Sequence, residues 1–192
     1  KRHLINTLGL GNDYLAVWDN LKRVVKLYEN NILIYNKSGK LLDSWGHEFP
    51  GGHGLTLADE NGTQFLYITD TAKHQVYKTT MDGKIVLTID VPMDAGIYKS
   101  EKEFVPTEVA VDSNGDFFIA DGYGAQYILH YGNDGKLKGY FGGRGKGTEN
   151  LDNAHGIVVD RRYGSPTLLV TDRTRNCFKR FSMDGKLKEI IE

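Results

Sequence analysis

The sequence predicts an all-β fold, a propeller of tandem four-stranded blades, from three observations. Aspartates stand at 19, 70, 121 and 172, each 51 residues after the last, and each closes a short apolar run: YLAVWD (14–19), FLYITD (65–70), DFFIAD (116–121) and TLLVTD (167–172). A fixed period near 50 marks a repeat architecture. A glycine-lysine turn recurs after the next segment of every unit, as Ser38-Gly39-Lys40, Asp82-Gly83-Lys84, Asp134-Gly135-Lys136 and Asp184-Gly185-Lys186. Glycine there supplies the positive backbone angle that a short hairpin turn demands. Helical repeats would instead need apolar residues three and four apart over ten or more positions, and no stretch keeps that spacing.

Each unit reads in the same order. A short apolar run comes first, clearest as HGLTLAD, TEVAVDS and HGIVVDR; the aspartate run follows; then come NILIYN, HQVYKT, YILHYG and CFKRFS; after the turn come KLLDSW, KIVLTI, KLKGYF and KLKEII. Four short antiparallel strands per repeat, repeated around an axis, describe a propeller blade. The blades fall at residues 1–50, 51–105, 106–153 and 154–192 of a single domain. Blade one is the least regular, because RVVKLYEN (23–30) reads as an insertion before the third strand.

Composition agrees and narrows the function classes. With 192 residues, 40% of them hydrophobic, and 23 glycines, the chain can bury a core and is turn-rich. A net charge of -1 from 24 basic and 25 acidic residues argues against nucleic acid or an anionic membrane as the main partner. No run approaches the ~20 apolar residues of a membrane span, and no leader pattern is legible in the first residues. The single cysteine, Cys177, excludes an intrachain disulfide and reads as a small apolar residue of a third strand.

In a propeller the first strand of each blade lines the central channel, so equivalent positions of successive blades converge. At the start of that strand stand His53, Thr107 and His155, and the step His-Gly-aliphatic is used twice, 102 residues apart. Two neutral imidazoles aimed at one axis can share a zinc ion. The alternative reading is inherited repeat consensus, with each histidine bonded to a neighbouring blade's carbonyl. His3 has nearly the same phase without the glycine, and His47, His74 and His130 fall near blade edges or outer strands.

The turn after each repeating aspartate is the second place to look. The shared aspartate most simply caps the turn by accepting backbone N–H bonds. Tyr123 and Arg173 are large polar residues where other blades have Thr71 and Asn20. A tyrosine can exchange a proton, and an arginine can clamp a carboxylate. Packing against the next blade for Tyr123, and an acidic loop partner for Arg173, is the structural alternative.

The segments HGLTLAD with LYITD, TEVAVDSNGDFFIADGYG, and HGIVVD with LLVTDRTRN resemble NHL-repeat propellers, and their order is similar to the lyase domain of the peptidylglycine amidating enzymes and their bacterial relatives. The resemblance covers residues 51–192 well and blade one weakly. NHL motifs alone say little about function, whereas His-Gly-Leu, then Asp-Gly-Tyr, then His-Gly followed by Asp-Arg is more specific. The resemblance implies a six-bladed ring, of which this chain is expected to hold about four blades as an incomplete propeller. It implies zinc held by histidines opening alternate blades: His53 and His155 match two, and the third would open blade six. Tyr123 matches the family's catalytic tyrosine, Arg173 an active-site arginine, and Leu55 a carbonyl ligand of a structural calcium on the axis. A further arginine of the family, at the blade-one turn, is met here by Asn20, with Lys22 and Arg23 close by.

The implied activity is zinc-dependent cleavage of a small-molecule or peptide substrate, peptidyl-α-hydroxyglycine, to peptide amide and glyoxylate, in an extracytoplasmic or secreted setting. The alternative is a non-enzymatic NHL propeller that offers its top face to a protein or other ligand. In that case the two histidines would be interchangeable with threonine, as Thr107 already stands in blade three.

Overall fold

A computed structural model describes residues 16–18, 24–28, 31–162 and 164–192, with side chains from residue 32 onward. Among the described residues sixteen strands form four sheets of four, each a simple antiparallel meander. The first sheet holds β1 (Ala16–Trp18), β2 (Val24–Tyr28), β3 (Asn31–Tyr35) and β4 (Leu41–Trp45). The second holds β5 (Gly52–Glu60), β6 (Thr63–Asp70), β7 (Gln75–Thr80) and β8 (Ile85–Ile89). The third holds β9 (Glu108–Val111), β10 (Phe117–Ala120), β11 (Tyr127–Tyr131) and β12 (Leu137–Gly142). The fourth holds β13 (Ala154–Asp160), β14 (Thr167–Asp172), β15 (Cys177–Ser182) and β16 (Leu187–Ile191). First strands of neighbouring sheets, β5 with β9 and β9 with β13, lie against one another, which makes them the inner strands of a propeller.

Stacking the sheets explains why the aspartate runs look uniformly apolar. Each middle blade is covered on both faces, so residues of either parity need a dry partner. In β10, Phe117 and Ile119 join Tyr67, Val76 and Leu129 between blades two and three. Phe118 and Ala120 of the same strand join Leu168, Val170 and Phe181 between blades three and four. Leu66 and Ile68 of β6 pack with Ile32, Ile34 and Phe49 against blade one. The outer face of blade four carries Val158 and Phe178 exposed.

The hairpin turns behave as the sequence predicts. Gly39, Gly83, Gly135 and Gly185 all have φ between 78° and 90°. Each turn closes with the same pair of backbone bonds, for instance Gly83 N–H to Thr80 O at 3.1 Å and Thr80 N–H to Lys84 O at 2.9 Å.

Blade one departs from the sequence reading. Residues 24–28 are not an insertion but β2, paired with β1 (Ala16 opposite Lys26) on one side and β3 (Tyr28 opposite Asn31) on the other. Among the described residues the run that leads to Asp19 is therefore the first strand of its sheet, whereas those ending at Asp70, Asp121 and Asp172 are second strands. An equal interval counts residues rather than strands, and VVKLY, β-branched and aromatic enough for a strand, completes the meander. His3, Asp19, Asn20, Lys22 and Arg23 lie outside the described residues. No helix among the described residues is long and apolar enough to cross a membrane.

Candidate active site

Histidine 53 and histidine 155 sit at the same irregularity. In blade two the register steps from Gly52 opposite Asp70 to Leu55 opposite Ile68, and in blade four from Ala154 opposite Asp172 to Ile157 opposite Val170. Each inner strand thus carries one extra residue, a bulge, which re-aims the side chain on it. The bulge is pinned identically in both blades: Gly54 N–H donates to Thr69 Oγ1 and Gly156 N–H to Thr171 Oγ1, both at 2.6 Å. The inner strand of blade three has no bulge, with Ala120 opposite Glu108 in unbroken register.

The glycine of the His-Gly step has a steric cause. A Cβ on Gly54 would stand 2.5 Å from the Thr107 carbonyl oxygen, because the inner strands of blades two and three touch there. That same carbonyl accepts a hydrogen bond from His53 Nδ1 at 2.9 Å. A carbonyl only accepts, so Nδ1 bears a proton, and the tautomer this selects has a bare Nε2.

The second set of elements is the turns that leave the second strands. Thr71, Tyr123 and Arg173 each donate their backbone N–H to the residue two before the inner-strand position: Gly51 O at 2.8 Å, Val105 O at 3.2 Å and Asn153 O at 3.0 Å. The buried aspartates make the reciprocal bond. Asp70 Oδ1 accepts from Gly51 N–H at 3.1 Å, Asp121 Oδ1 from Val105 N–H at 2.6 Å, and Asp172 Oδ1 from Asp152 N–H at 2.9 Å. Capping, as the sequence indicates, is joined by a stitch between turn and inner strand. Burial pushes the Asp121 carboxyl up to about 7, against the bonds from Val105, Ala125 and the Tyr98 hydroxyl that favour its charge. Gly122 and Gly124 flank Tyr123 because the chain is crowded on both sides: a Cβ would collide with the Ala154 carbonyl at one and with Asp121 and the Glu103 carbonyl at the other.

These two constructions meet. The Tyr123 hydroxyl lies 3.1 Å from His53 Nε2 and 2.9 Å from His155 Nε2, with the two imidazole centroids 5.0 Å apart. Since His53 Nε2 is bare, the hydroxyl proton goes to it, and the hydroxyl oxygen accepts from an Nε2–H of His155. His155 is held neutral, its pKa lowered to about 4 by burial first and then by the neighbouring His53 and Arg173. Arg173 is exposed and, with His155, Asn176 and Phe178, lines a cleft of about 400 Å³.

Of the five residues singled out in the sequence, four are brought to this end of the inner strands. Leu55 is two residues further along, its side chain in the core with Ile34, Leu66 and Ile68. Tyr123 is 41% exposed and bonded to the two histidines, and its ring stands edge-on to that of His155, so the packing against the next blade named as its structural alternative is also present. The other described histidines have structural or solvated settings. His74 bonds the Phe104 carbonyl, His130 faces Asp116, and His47 is exposed beside Glu48.

Two features escape the sequence. Glu108, a half-buried carboxyl on the inner strand of blade three, accepts from Thr56 Oγ1 and Val109 N–H, both at 3.0 Å, and burial pushes its pKa up to about 7. Gln126 joins the Tyr123 turn to the strand of His155, and its signal is a turn one residue longer in blade three than in blades two and four.

The donor set fits zinc in part. Two imidazoles present Nε2 to one point, and His53 has the carbonyl partner on Nδ1 that commonly orients a metal-ligating histidine. Among the described residues no group of three or more His, Cys, Asp or Glu side chains is placed to hold a metal. For calcium, which takes six to eight oxygens, the Leu55 carbonyl alone does not make a site.

Comparison with known proteins places the chain among two named groups of homologues. It is 36% identical to peptidyl-alpha-hydroxyglycine alpha-amidating lyase 2 of Drosophila melanogaster over 137 residues, covering 69% of this chain and 31% of that protein. It is 40% identical to lyase 1 of the same organism over 111 residues, 55% of this chain and 19% of that protein. Human NHL repeat-containing protein 3 is 24% identical over 210 residues, 92% of this chain and 60% of that protein. The chain thus spans about a third or less of the two fly lyases. No family model matches it. Among solved structures, a streptogramin B lyase superposes with a TM-score of 0.65 at 19% identity, covering 90% of this chain and 52% of that one. A Staphylococcus aureus virginiamycin B lyase does so with a TM-score of 0.66 at 15% identity, covering 90% and 53%. These likenesses establish the β-propeller fold.

Proposed function

We propose that this chain carries catalytic residues of a lyase that cleaves peptidyl-α-hydroxyglycine to a peptide amide and glyoxylate. The observation that carries the reading is the Tyr123 hydroxyl held between the Nε2 atoms of His53 and His155, with Arg173 beside them. The lyase names of homologues at 36–40% identity give the substrate class.

The reaction breaks the bond between the amide nitrogen and the α-carbon. The hydroxyl proton must leave, the C–O bond becomes a carbonyl, and the departing nitrogen must gain a proton. Tyr123, whose hydroxyl lies between the two imidazoles, is the group placed to take the hydroxyl proton; its own proton has an acceptor in His53 Nε2 while that nitrogen holds no metal, and a cation on the imidazoles would itself favour the phenolate. Arg173, exposed at the mouth of the cleft, suits the substrate carboxylate, which a guanidinium binds with two parallel bonds. Bound by His53 and His155, a zinc ion would polarise the substrate oxygen. Neutral imidazoles are the form that ligates metal, and burial holds His155 neutral at pH 7, but its proton would have to move from Nε2, where the Tyr123 oxygen accepts it, to Nδ1 for Nε2 to bind zinc. Calcium near the Leu55 carbonyl would be structural, with ligands beyond this residue.

Turnover of a short peptide ending in α-hydroxyglycine, read by glyoxylate release, tests the proposal. Tyr123→Phe and Arg173→Ala are expected to lower it at least 100-fold with the fold retained. Turnover unchanged in both would sink it. Metal content by mass spectrometry, with His53→Ala and His155→Ala as comparisons, tests the zinc assignment separately. The competing reading, a ligand-binding NHL propeller, draws on the longer match to NHL repeat-containing protein 3. It predicts no glyoxylate release from any form.

A further inference from the structure

The amide of Gln126 makes four hydrogen bonds in a nearly dry setting. Its nitrogen donates to the carbonyls of Gly122 at 2.8 Å and Gly124 at 3.1 Å, the two residues flanking Tyr123. Its oxygen accepts from the N–H groups of Asn153 at 2.6 Å and Ala154 at 3.1 Å, the two residues before His155. Two donors and two lone pairs are the whole capacity of a primary amide, and the side chain is 2% exposed. Asn153 in turn accepts the Arg173 N–H at 3.0 Å, so Tyr123, His155 and Arg173 all hang on this one group.

The backbone is bent to allow it. Gln126 and Asn153 have φ of 72° and 66°, the left-handed region that side chains other than glycine avoid. Such outliers persist where the surroundings over-determine them.

The neighbouring blade shows what the position does by default. His74 stands at the same place, left-handed (φ 57°) and one residue before the third strand, and its Nδ1 lies 2.7 Å from the Phe104 carbonyl in the lead-in to the next inner strand. A side chain there ties blade to blade. In blade three the tie also grips both sides of Tyr123, and the longer turn makes that grip available.

We infer that Gln126 is a positioning residue, whose amide sets the Tyr123 hydroxyl against His155 Nε2. It rests on the lyase reading for its catalytic consequence, and on geometry alone for its effect on the histidine. A tie that only bound blades together would need one bond, as His74 shows. Four bonds to the immediate neighbours of two reacting groups fix a relative placement.

The test is Gln126→Glu, which keeps the shape and the accepting oxygen but loses both amide donors and sets a carboxylate against two carbonyls. Gln126→Ala is the second variant, and His74→Ala is the control for blade-to-blade tying. Nitrogen-15 NMR of histidine-labelled protein, treated with chelator so that no metal occupies Nε2, reads whether His155 Nε2 still donates to a hydroxyl, with Tyr123→Phe giving the signature of the lost bond. Gln126→Glu is expected to move the His155 resonance toward the Tyr123→Phe position and to lower kcat by 10- to 100-fold with KM little changed. His74→Ala is expected to lower stability and leave that resonance in place. If Gln126→Glu lowers stability but leaves the His155 resonance at its wild-type position, the inference is overturned. If no form releases glyoxylate, the lyase reading fails by itself, and the NMR comparison still decides the role of Gln126.

Discussion

Alanine at position 54 offers a matched comparison, because the same His-Gly step occurs in a second blade with a different neighbour. A Cβ on Gly54 would stand 2.5 Å from the Thr107 carbonyl oxygen, and 2.9 Å from both Glu108 Oε1 and Thr69 Oγ1. Ordinary contact begins at 3.4 Å, so β5 and β9 must part by about 1 Å. His53 Nδ1 bonds that same carbonyl at 2.9 Å and would lose it. Overpacking costs about 1–3 kcal/mol, and the lost bond adds about 0.5–1.5 kcal/mol. At Gly156 the nearest atoms are Thr171 Oγ1 at 3.3 Å and Cγ2 at 3.7 Å, which leaves almost enough room. Neither glycine has a positive φ, so alanine also gains roughly 0.4–1 kcal/mol by restricting the unfolded chain. Gly54→Ala is thus expected to lose roughly 1–4 kcal/mol and Gly156→Ala to stay within about 1 kcal/mol of wild type. Urea unfolding followed by fluorescence reads both as shifts in midpoint at constant slope. Equal losses at the two positions would refute the steric account of the His-Gly step.

Two further perturbations address buried charge. Asp172 and Lys179 form an ion pair at 2.8 Å, with side chains 0% and 2% exposed. Asp172→Ala should cost about 3–5 kcal/mol, by leaving the Lys179 ammonium with the Asn150 carbonyl but no counter-charge and the Asp152 N–H without its acceptor, and adding Lys179→Met should restore the ionic part of it. Equal stability of the single and double variants in urea would contradict that. Glu108 has its pKa raised to about 7 from 4.5, so its contribution to stability is full below pH 4.5 and fades as pH rises through 7. Stability measured from pH 4.5 to 7.5 should therefore fall more in wild type than in Glu108→Gln, by on the order of 3 kcal/mol at most. Parallel profiles would show that the carboxyl titrates normally.

The repeat was legible because blade boundaries are set by local chemistry. Turn glycines at 39, 83, 135 and 185 take positive φ whatever surrounds them, and strands covered on both faces must be apolar throughout. Blade one was misread where a count of residues stood in for pairing: residues 24–28 have the β-branched and aromatic content of a strand without its alternation, and only their bonds to β1 and β3 place them in the sheet. The candidate site was legible as a list, since His53 and His155 share a step and Tyr123 and Arg173 stand out against their repeat equivalents.

What the sequence by itself determined is therefore the blade, its four strands, and which residues differ from one blade to the next. That information is local, because turn angles and alternation act over a few residues. Only the tertiary structure decided that the Tyr123 hydroxyl falls between two imidazoles, that the Thr107 carbonyl fixes the protonation of His53, and that Gln126 binds the turn of one blade to the inner strand of the next. These are contacts between blades, made by groups some 30 to 70 residues apart in the chain, and no local pattern encodes the angle at which one sheet packs upon another.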